Sequence, residues 1–260
     1  MRPAPPTRPA PWLAALALGI AVAGAALVRA EPTARQIVDA ARRAHGVAVL
    51  DTAGLAFGFR GTAYRVSPLG GPRTIVRTRA LPDSLGGGRA TETLHPDGAL
   101  TRQAGGRVDT LRGDEAARVA SSIGSVVYFA LLPHGLADAS VRLRRLPDDV
   151  LRGRTVRTVE VTFDSLGGGR SWRDRYVYWI DARRATVDAF AYDYADGDGE
   201  TRLRLATRVH AAGGARLQDY ATYTDPAMKG RIEQYLTRLG MPTLRTVSDV
   251  ALDSVRLVPR

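Results

Sequence analysis

The residues in this sequence that could bind a metal or act as a general base are spread along the chain. The chain contains four histidines and no cysteine. Zinc sites draw on these two residue types at short spacings such as HExxH, and no such spacing occurs here. The sequence therefore predicts neither a metal site nor a cofactor. The histidines are His45, His95, His134 and His210.

One acidic segment has the alternating spacing of a calcium-binding loop. Asp196, Asp198 and Glu200 are separated from one another by single glycines. The segment lacks the remaining ligands of an EF-hand loop, and it lies between two predicted strands. We therefore interpret it as a hairpin turn.

The heptapeptide DSLGGGR occurs twice, at residues 83–89 and 164–170. Glycine-rich loops bind phosphate where they join a strand to a helix, but no helical pattern follows either copy and the flanking sequences differ. Both copies are therefore interpreted as hairpin loops. The chain has no G-x-S-x-G motif that would present a serine nucleophile. We predict that the protein is not an enzyme.

Apolar and aromatic side chains remain as the candidate binding surface. They occupy alternate positions of several predicted strands and one stripe of a central segment. The residues alone favour an ordinary packed core, and the alternative is the lining of a cavity between a sheet and a helix. The candidate lining residues are Phe57, Phe59, Ile123, Val127, Tyr128, Tyr176, Tyr178, Phe190 and Tyr192.

The central segment, residues 114–138, is the longest apolar segment outside the N-terminus. Its apolar residues recur with helical spacing, which predicts a helix from Asp114 to Leu132 that is buried against a sheet and ended by Pro133. A buried strand from Ser125 to Leu132 is the alternative, because periodicity cannot separate helix from strand over so short a run.

The rest of the sequence mostly has the two-residue period of β-strands. The segment from Arg173 to Asp181 is apolar at both sets of alternate positions, which predicts a cover on both faces. Short helices are predicted from Pro32 to Gly46 and from Ala227 to Gly240. The fold class is therefore mainly β (α+β), with a single strongly curved antiparallel sheet of about a dozen strands covered by two or three helices.

The first thirty residues have the pattern of a secretory signal peptide. Arg2 and Arg8 precede an apolar run from Trp12 to Val28, and small residues flank Arg29 as they do at a cleavage site. We expect cleavage that leaves residues 31–260 as a single periplasmic or secreted domain. An uncleaved anchor is the alternative, since the apolar run is marginal in length for a membrane span. Without cysteine the chain has no lipobox.

The chain is strongly basic, with 37 lysines and arginines against 26 acidic residues. Its arginines alternate along strands, as in the segment from Thr201 to Val209, where Arg202, Arg204 and Arg208 alternate with apolar residues. This alternation favours solvated sheet faces over a nucleic-acid surface. We therefore expect no nucleic-acid partner.

Several of these features together resemble a family of uncharacterised exported bacterial proteins. They are the exported start, the helix that ends at Gly46, the apolar segment Ser125–Pro133, and the strand Tyr176–Asp181 that turns into Thr186–Tyr194. That family is similar in architecture to the outer-membrane lipoprotein carriers LolA and LolB. The resemblance implies a half-open barrel with helices that lid a hydrophobic cavity.

The resemblance also implies a function. It predicts a non-enzymatic periplasmic carrier that holds a lipid or lipoprotein acyl chain between sheet and helix. Separately, we expect the protein to be a monomer. The alternative is an envelope interaction or sensor module with a solid core, whose partner is another envelope protein and which has no ligand.

Overall fold

The computed structural model describes residues 30–85, 87–165, 173–195 and 200–259. The chain divides into two compact units, Met1–Glu31 and Pro32–Arg260, and all that follows concerns the second. The predicted signal peptide, most of the second glycine-rich heptapeptide and the acidic segment at 196–199 lie outside the described residues.

The described helices are few and mostly short. The α-helices are α1 (Ala34–Ala44), α2 (Val49–Thr52) and α3 (Gly113–Ala130), and the 3₁₀ helices are Asp83–Leu85, His134–Ala137, Pro226–Met228 and Ile232–Arg238. Helix α1 begins with a capping box, in which Thr33 Oγ1 accepts a hydrogen bond from the Gln36 amide at 3.2 Å and Gln36 Oε1 accepts one from the Thr33 amide at 2.8 Å.

Both longer helices agree with their sequence predictions to within a few residues. Helix α3 spans the central segment, so the alternative of a strand from Ser125 is wrong. The segment predicted as a last helix from Ala227 to Gly240 instead forms two 3₁₀ helices.

In the described part of the chain, fifteen antiparallel strands form two sheets. The first, here the N-terminal sheet, has the order β15-β1-β2-β3-β4-β5-β6, and the second, the C-terminal sheet, has the order β14-β13-β12-β11-β10-β9-β7 with β8 paired to β9. The strands are β1 (Gly54–Phe59), β2 (Thr62–Val66), β3 (Ile75–Ala80), β4 (Arg89–Leu94), β5 (Leu100–Ala104), β6 (Arg107–Leu111), β7 (Val141–Arg145), β8 (Asp149–Leu151), β9 (Arg154–Phe163), β10 (Arg175–Asp181), β11 (Val187–Asp193), β12 (Thr201–Ala212), β13 (Ala215–Thr224), β14 (Arg245–Val250) and β15 (Leu252–Val258).

The predicted single curved sheet, a half-open barrel, is therefore corrected to two sheets. The division has a physical reason, because α3 carries the chain away from β6 and the next strand, β7, pairs with β9 instead. The two sheets are connected again at Ala251, which separates β14 in one sheet from β15 in the other.

The C-terminal sheet is covered on both faces, as the sequence predicted from the doubly apolar strand. Tyr176, Tyr178 and Ile180 of β10 lie in a core with α1. Val177 and Trp179 lie in a separate core on the opposite face, beneath the 3₁₀ helix Ile232–Arg238. Alternate residues of one strand therefore serve two cores, which explains why this strand is apolar throughout.

Helix α3 packs against both sheets. Ile123 and Val127 are buried in a core with the N-terminal sheet, whereas Tyr128 and Phe129 pack against the core of the C-terminal sheet. Burial of each aliphatic side chain contributes about 1.5–3 kcal/mol. The helix predicted to cover the sheet therefore packs against two sheets.

A buried ion cluster fixes the first half of α3 on the N-terminal sheet. Glu92 of β4 is fully buried and accepts hydrogen bonds from Arg77 Nε at 2.6 Å and Arg102 Nη2 at 2.9 Å. Each arginine also reaches α3, with Arg77 donating to Ser122 at 3.0 Å and Arg102 to Glu115 at 2.7 Å. Burial by itself would raise the pKa of Glu92, but the arginine hydrogen bonds outweigh it and lower that pKa.

Candidate functional site

The nine predicted lining residues fall into three places. Tyr128, Tyr176, Tyr178, Phe190 and Tyr192 come together on the inner face of the C-terminal sheet. Phe57, Ile123 and Val127 are buried between α3 and the N-terminal sheet. Phe59, at the end of β1, is half-buried and borders a cavity.

The first group, with Phe129 added, forms an aromatic cluster of rings in mutual contact. Ring centroids lie 5.6 Å apart for Phe129 and Phe190, and 5.5 Å apart for Tyr178 and Phe190. The hydroxyls of Tyr128 and Tyr178 are 3.1 Å apart and share a hydrogen bond. Burial raises the pKa of Tyr128 to about 12, against the effect of that hydrogen bond, so its phenol is neutral. These rings pack as a solid core.

A cavity of about 230 Å³ lies beside this aromatic cluster, where the chain passes from one sheet to the other. Helix α3 forms one wall, the strands β1 and β15 a second, and the strands β12 to β14 a third. We call it the helix cavity. Its described lining residues are Phe59, Arg60, Ser125, Val126, Phe129, Ala130, Tyr194, Arg204, Gln218, Ser248, Val250 and Leu252.

The helix cavity is apolar on one side and polar on the other. Val126, Phe129 and Ala130 supply the apolar wall from α3, and Phe59 and Leu252 extend it from the N-terminal sheet. With Ser125, the three α3 residues occupy positions i, i+1, i+4 and i+5 of the helix, so that one stripe of α3 faces the cavity. Of the nine predicted residues, only Phe59 lines this space.

Arg204 is the charged group of the polar side. Its guanidinium carbon lies 4.2 Å from the Phe129 ring centroid, 5.4 Å from that of Tyr192 and 5.7 Å from that of Phe190. Such stacking stabilises a cation on aromatic faces. The sequence predicted a solvated face for this arginine, and the structure corrects that prediction, because Arg204 lies directly across from Phe190 on the inner face of the sheet.

Gln218 is a second polar residue that sequence reasoning missed. It is buried, donates to the Val187 carbonyl at 2.8 Å and accepts from Arg216 Nε at 2.8 Å. Its hydrogen bonds are therefore used within the protein, and Gln218 forms a fixed part of the wall. Its main-chain partner Val187 is distant in sequence, so no local pattern predicts this buried position.

Two further depressions are open grooves. One, of about 580 Å³, is lined by residues of β1, β2, β3 and β15. The other, of about 700 Å³, lies at Arg154, Arg183 and Arg184. The arginines 154 and 184 pair there with Asp181, so the charge of that groove is largely compensated.

The histidines serve structural contacts in the described part of the chain. His210 meets Asp219 at 2.7 Å, and Asp219 also accepts the Leu252 amide at 2.8 Å. His95 contacts Thr101 at 3.1 Å, and His134 lies 3.5 Å from Asp51. Across residues 30–85, 87–165, 173–195 and 200–259 no group of three or more acidic or histidine side chains could hold a metal ion.

The fold and the helix cavity define a two-sheet β protein in which a covering helix borders a small space of mixed polarity. Residues 97–250 match DUF6503, a family of unknown function. The chain belongs to that family, which confirms the predicted membership of an uncharacterised family. No curated protein matches the chain.

Solved structures share the general architecture at low sequence identity. A LolA superfamily protein from Nitrosomonas europaea is 10% identical, with 88% of this chain and 94% of that one covered and a TM-score of 0.47. A DUF1329 family protein from Desulfovibrio piger is 12% identical, with 87% and 93% covered and a TM-score of 0.46. The predicted likeness to LolA-type proteins is found, and at these TM-scores it carries no information about function. None of the described helices is long and apolar enough to cross a membrane.

Proposed function

We propose that the protein is a non-enzymatic binding or carrier protein of the cell envelope that holds a lipid or lipoprotein acyl chain between helix and sheet. The observation that supports this is the helix cavity, a partly open space of about 230 Å³ whose α3 wall is largely apolar. A hydrocarbon segment needs no reacting group for binding, because burial of apolar surface supplies the free energy.

The size of the helix cavity sets the scale of binding. Its volume of about 230 Å³ equals that of about eight water-sized groups. If each were a methylene that contributes about 0.8 kcal/mol, the gross gain would be about 6 kcal/mol, before the costs of association. That gain supports weak and reversible binding of a chain segment, as a carrier requires.

A longer chain would require α3 to move. The aromatic cluster and the residues beneath α3 adjoin the helix cavity, so displacement of this helix would add them to the lining. We retain the predicted residues as contacts for that larger space, with Phe59 as the contact in the present arrangement.

Substitution of Val126 by tryptophan tests the site. Val126 lines the helix cavity, whereas Val119 lies two turns earlier on α3 and packs beside the N-terminal sheet. We expect Val126→Trp to weaken binding of decanol, a neutral chain, by about tenfold or more, and Val119→Trp to leave it unchanged, as measured by isothermal titration calorimetry. Native mass spectrometry of protein from its own envelope should show bound lipid. Decanol binding unaffected by Val126→Trp would contradict this site.

The solid aromatic cluster favours a second candidate, an interaction or sensor module without a ligand. In that case the protein would copurify with another envelope protein, and lipid would be missing from every preparation. The same mass spectrometry therefore separates the two candidates.

A further inference from the structure

The charged side chains among the described lining residues of the helix cavity are all cationic. Its described lining residues include Arg60 and Arg204 and contain neither aspartate nor glutamate. Arg60 is exposed at the turn after β1, whereas Arg204 is partly buried within the cavity wall. A cavity with two cations and no lining carboxylate is electrostatically suited to an anion.

Arg204 also has unused hydrogen-bonding capacity. Its Nε is buried and has no hydrogen-bond partner among the described residues. The aromatic rings that stack on its guanidinium interact with the faces of that group, and its N–H donors point outward in its plane, where stacking cannot satisfy them. Most buried polar groups of folded proteins find a partner, so an unpaired guanidinium nitrogen calls for an explanation.

A buried hydroxyl group without a hydrogen-bond partner among the described residues lies next to Arg204. Thr222 of β13 is directly across from Arg204 on the same face, and its buried Oγ1 likewise has no partner among the described residues. Ser248 of β14 is in turn across from Thr222 and lines the cavity. Three adjacent strands thus place an arginine and two hydroxyl groups in one row, beside the apolar wall of α3.

We propose, building on the function proposed above, that the helix cavity selects an anionic amphiphile, whose carboxylate or phosphate head is bound by Arg204 while its chain lies against Phe59, Val126 and Phe129. A planar guanidinium offers parallel N–H donors that match the oxygens of a carboxylate or phosphate. The aromatic rings fix the orientation of that plane in advance. The hydroxyl of Ser248, which lines the cavity, can donate to the same oxyanion, and the Thr222 hydroxyl lies between Ser248 and Arg204 in the row.

Ligands with matched chains and different heads test this assignment. The probes are decanoate, decyl phosphate and decanol, with acetate and inorganic phosphate as chainless anions, all titrated calorimetrically at neutral pH. We expect decanoate and decyl phosphate to bind the wild-type protein about tenfold or more tightly than decanol, because hydrogen bonds to charged groups are strong. The chainless anions should bind far more weakly than either anionic amphiphile.

Variants of two arginines of β12 show which side chain causes the preference for anions. Arg204→Met keeps the aliphatic stem and removes the charge, and we expect it to abolish the preference for anions, so that decanoate, decyl phosphate and decanol bind with similar affinity. Arg204→Lys should retain part of the preference. Arg208→Met removes the same charge at an exposed position of β12 and should behave as the wild type. Thr222→Val, an isosteric change, should reduce the preference and supplies a second measurement if Arg204→Met folds poorly.

The outcomes separate this inference from the function on which it rests. Equal affinity of the wild type for decanoate and decanol, or an anion preference that survives in Arg204→Met, would overturn the role of Arg204 and leave chain binding intact. If inorganic phosphate bound as tightly as decyl phosphate, the proposal that the ligand is an amphiphile would be refuted, and the cavity would be a site for free anions. No binding of any ten-carbon probe would refute the proposed function itself.

Discussion

His45 should make the stability of this protein depend on pH in a defined window. It follows α1 directly and is 1% exposed. Its Nε2 accepts the Val187 amide at 3.1 Å, and its Nδ1 lies 3.3 Å from the Arg216 carbonyl, to which the neutral tautomer donates. Protonation would place a second proton on Nε2, against the Val187 amide. Burial, and the nearby charge of Arg216, lower the pKa of His45 from 6.5 to about 4.

The size of the effect comes from the difference between the two pKa values of His45. In the unfolded chain His45 takes up a proton near its ordinary pKa of 6.5, and in the folded protein only near pH 4. The unfolded state therefore binds more protons between these values, and folding is weakened as the pH falls through that window. The stabilising contribution is complete above about pH 6.5. A shift of this size corresponds to about 3 kcal/mol, lost by about pH 4.

Urea unfolding between pH 7.5 and 4, for the wild type and His45→Gln, measures this contribution. Other acid-sensitive groups are common to both proteins, so the difference between the two free energies of unfolding isolates His45. We expect the wild type to be the more stable protein at pH 7.5. The difference between the two free energies of unfolding should decrease by about 3 kcal/mol as the pH falls to 4. Parallel curves for His45→Gln would refute the reasoning.

Two pairs of substitutions test the contacts that hold the elements around the site. Glu92→Ala leaves the buried Arg77 without its carboxylate partner, so we expect urea denaturation to show a loss of about 3–5 kcal/mol in the free energy of unfolding. Glu115→Ala is the control. Its side chain is 50% exposed, and its loss should cost no more than about 1 kcal/mol in the same experiment. Gly46→Ala should lower the thermal midpoint clearly, because Gly46 has φ +61° and an added Cβ would lie 1.9 Å from the carbonyl oxygen of Gly214. Gly61→Ala, at φ +71° with nothing within 4 Å, carries only the backbone strain and should lower it less. Equal losses within either pair would contradict the contacts described.

Local patterns predicted helices α1 and α3 and the covered strand because their signals lie within one segment. The helical stripe of α3 is read directly from neighbouring residues. The doubly apolar strand β10 likewise implied its two covers. The division into two sheets was not predictable in this way, because it depends on the pairing of β15 with β1, at opposite ends of the chain.

The candidate site was harder to predict, for two physical reasons. Core and cavity linings use the same aromatic and aliphatic residues, so eight of the nine predicted positions are packed away from the helix cavity. The alternation of polar and apolar residues along a strand could not distinguish the inner face from the outer face, because this sheet is covered on both faces. A bulge between Ala206 and Val209 also interrupts the alternation, so that Arg204 faces inward while Arg208 is exposed.

The pairing of the last strand with the first has a consequence for how the protein is made. Gly54 pairs with Val258, so β1 keeps one unpaired edge until synthesis has passed Val258, about 200 residues later. Contacts between such distant residues close late and slowly, and an unpaired edge strand invites association with other chains in the meantime. The nascent protein therefore passes through an interval in which its N-terminal sheet is incomplete, and a chaperone that shields this edge would raise the yield of folded molecules.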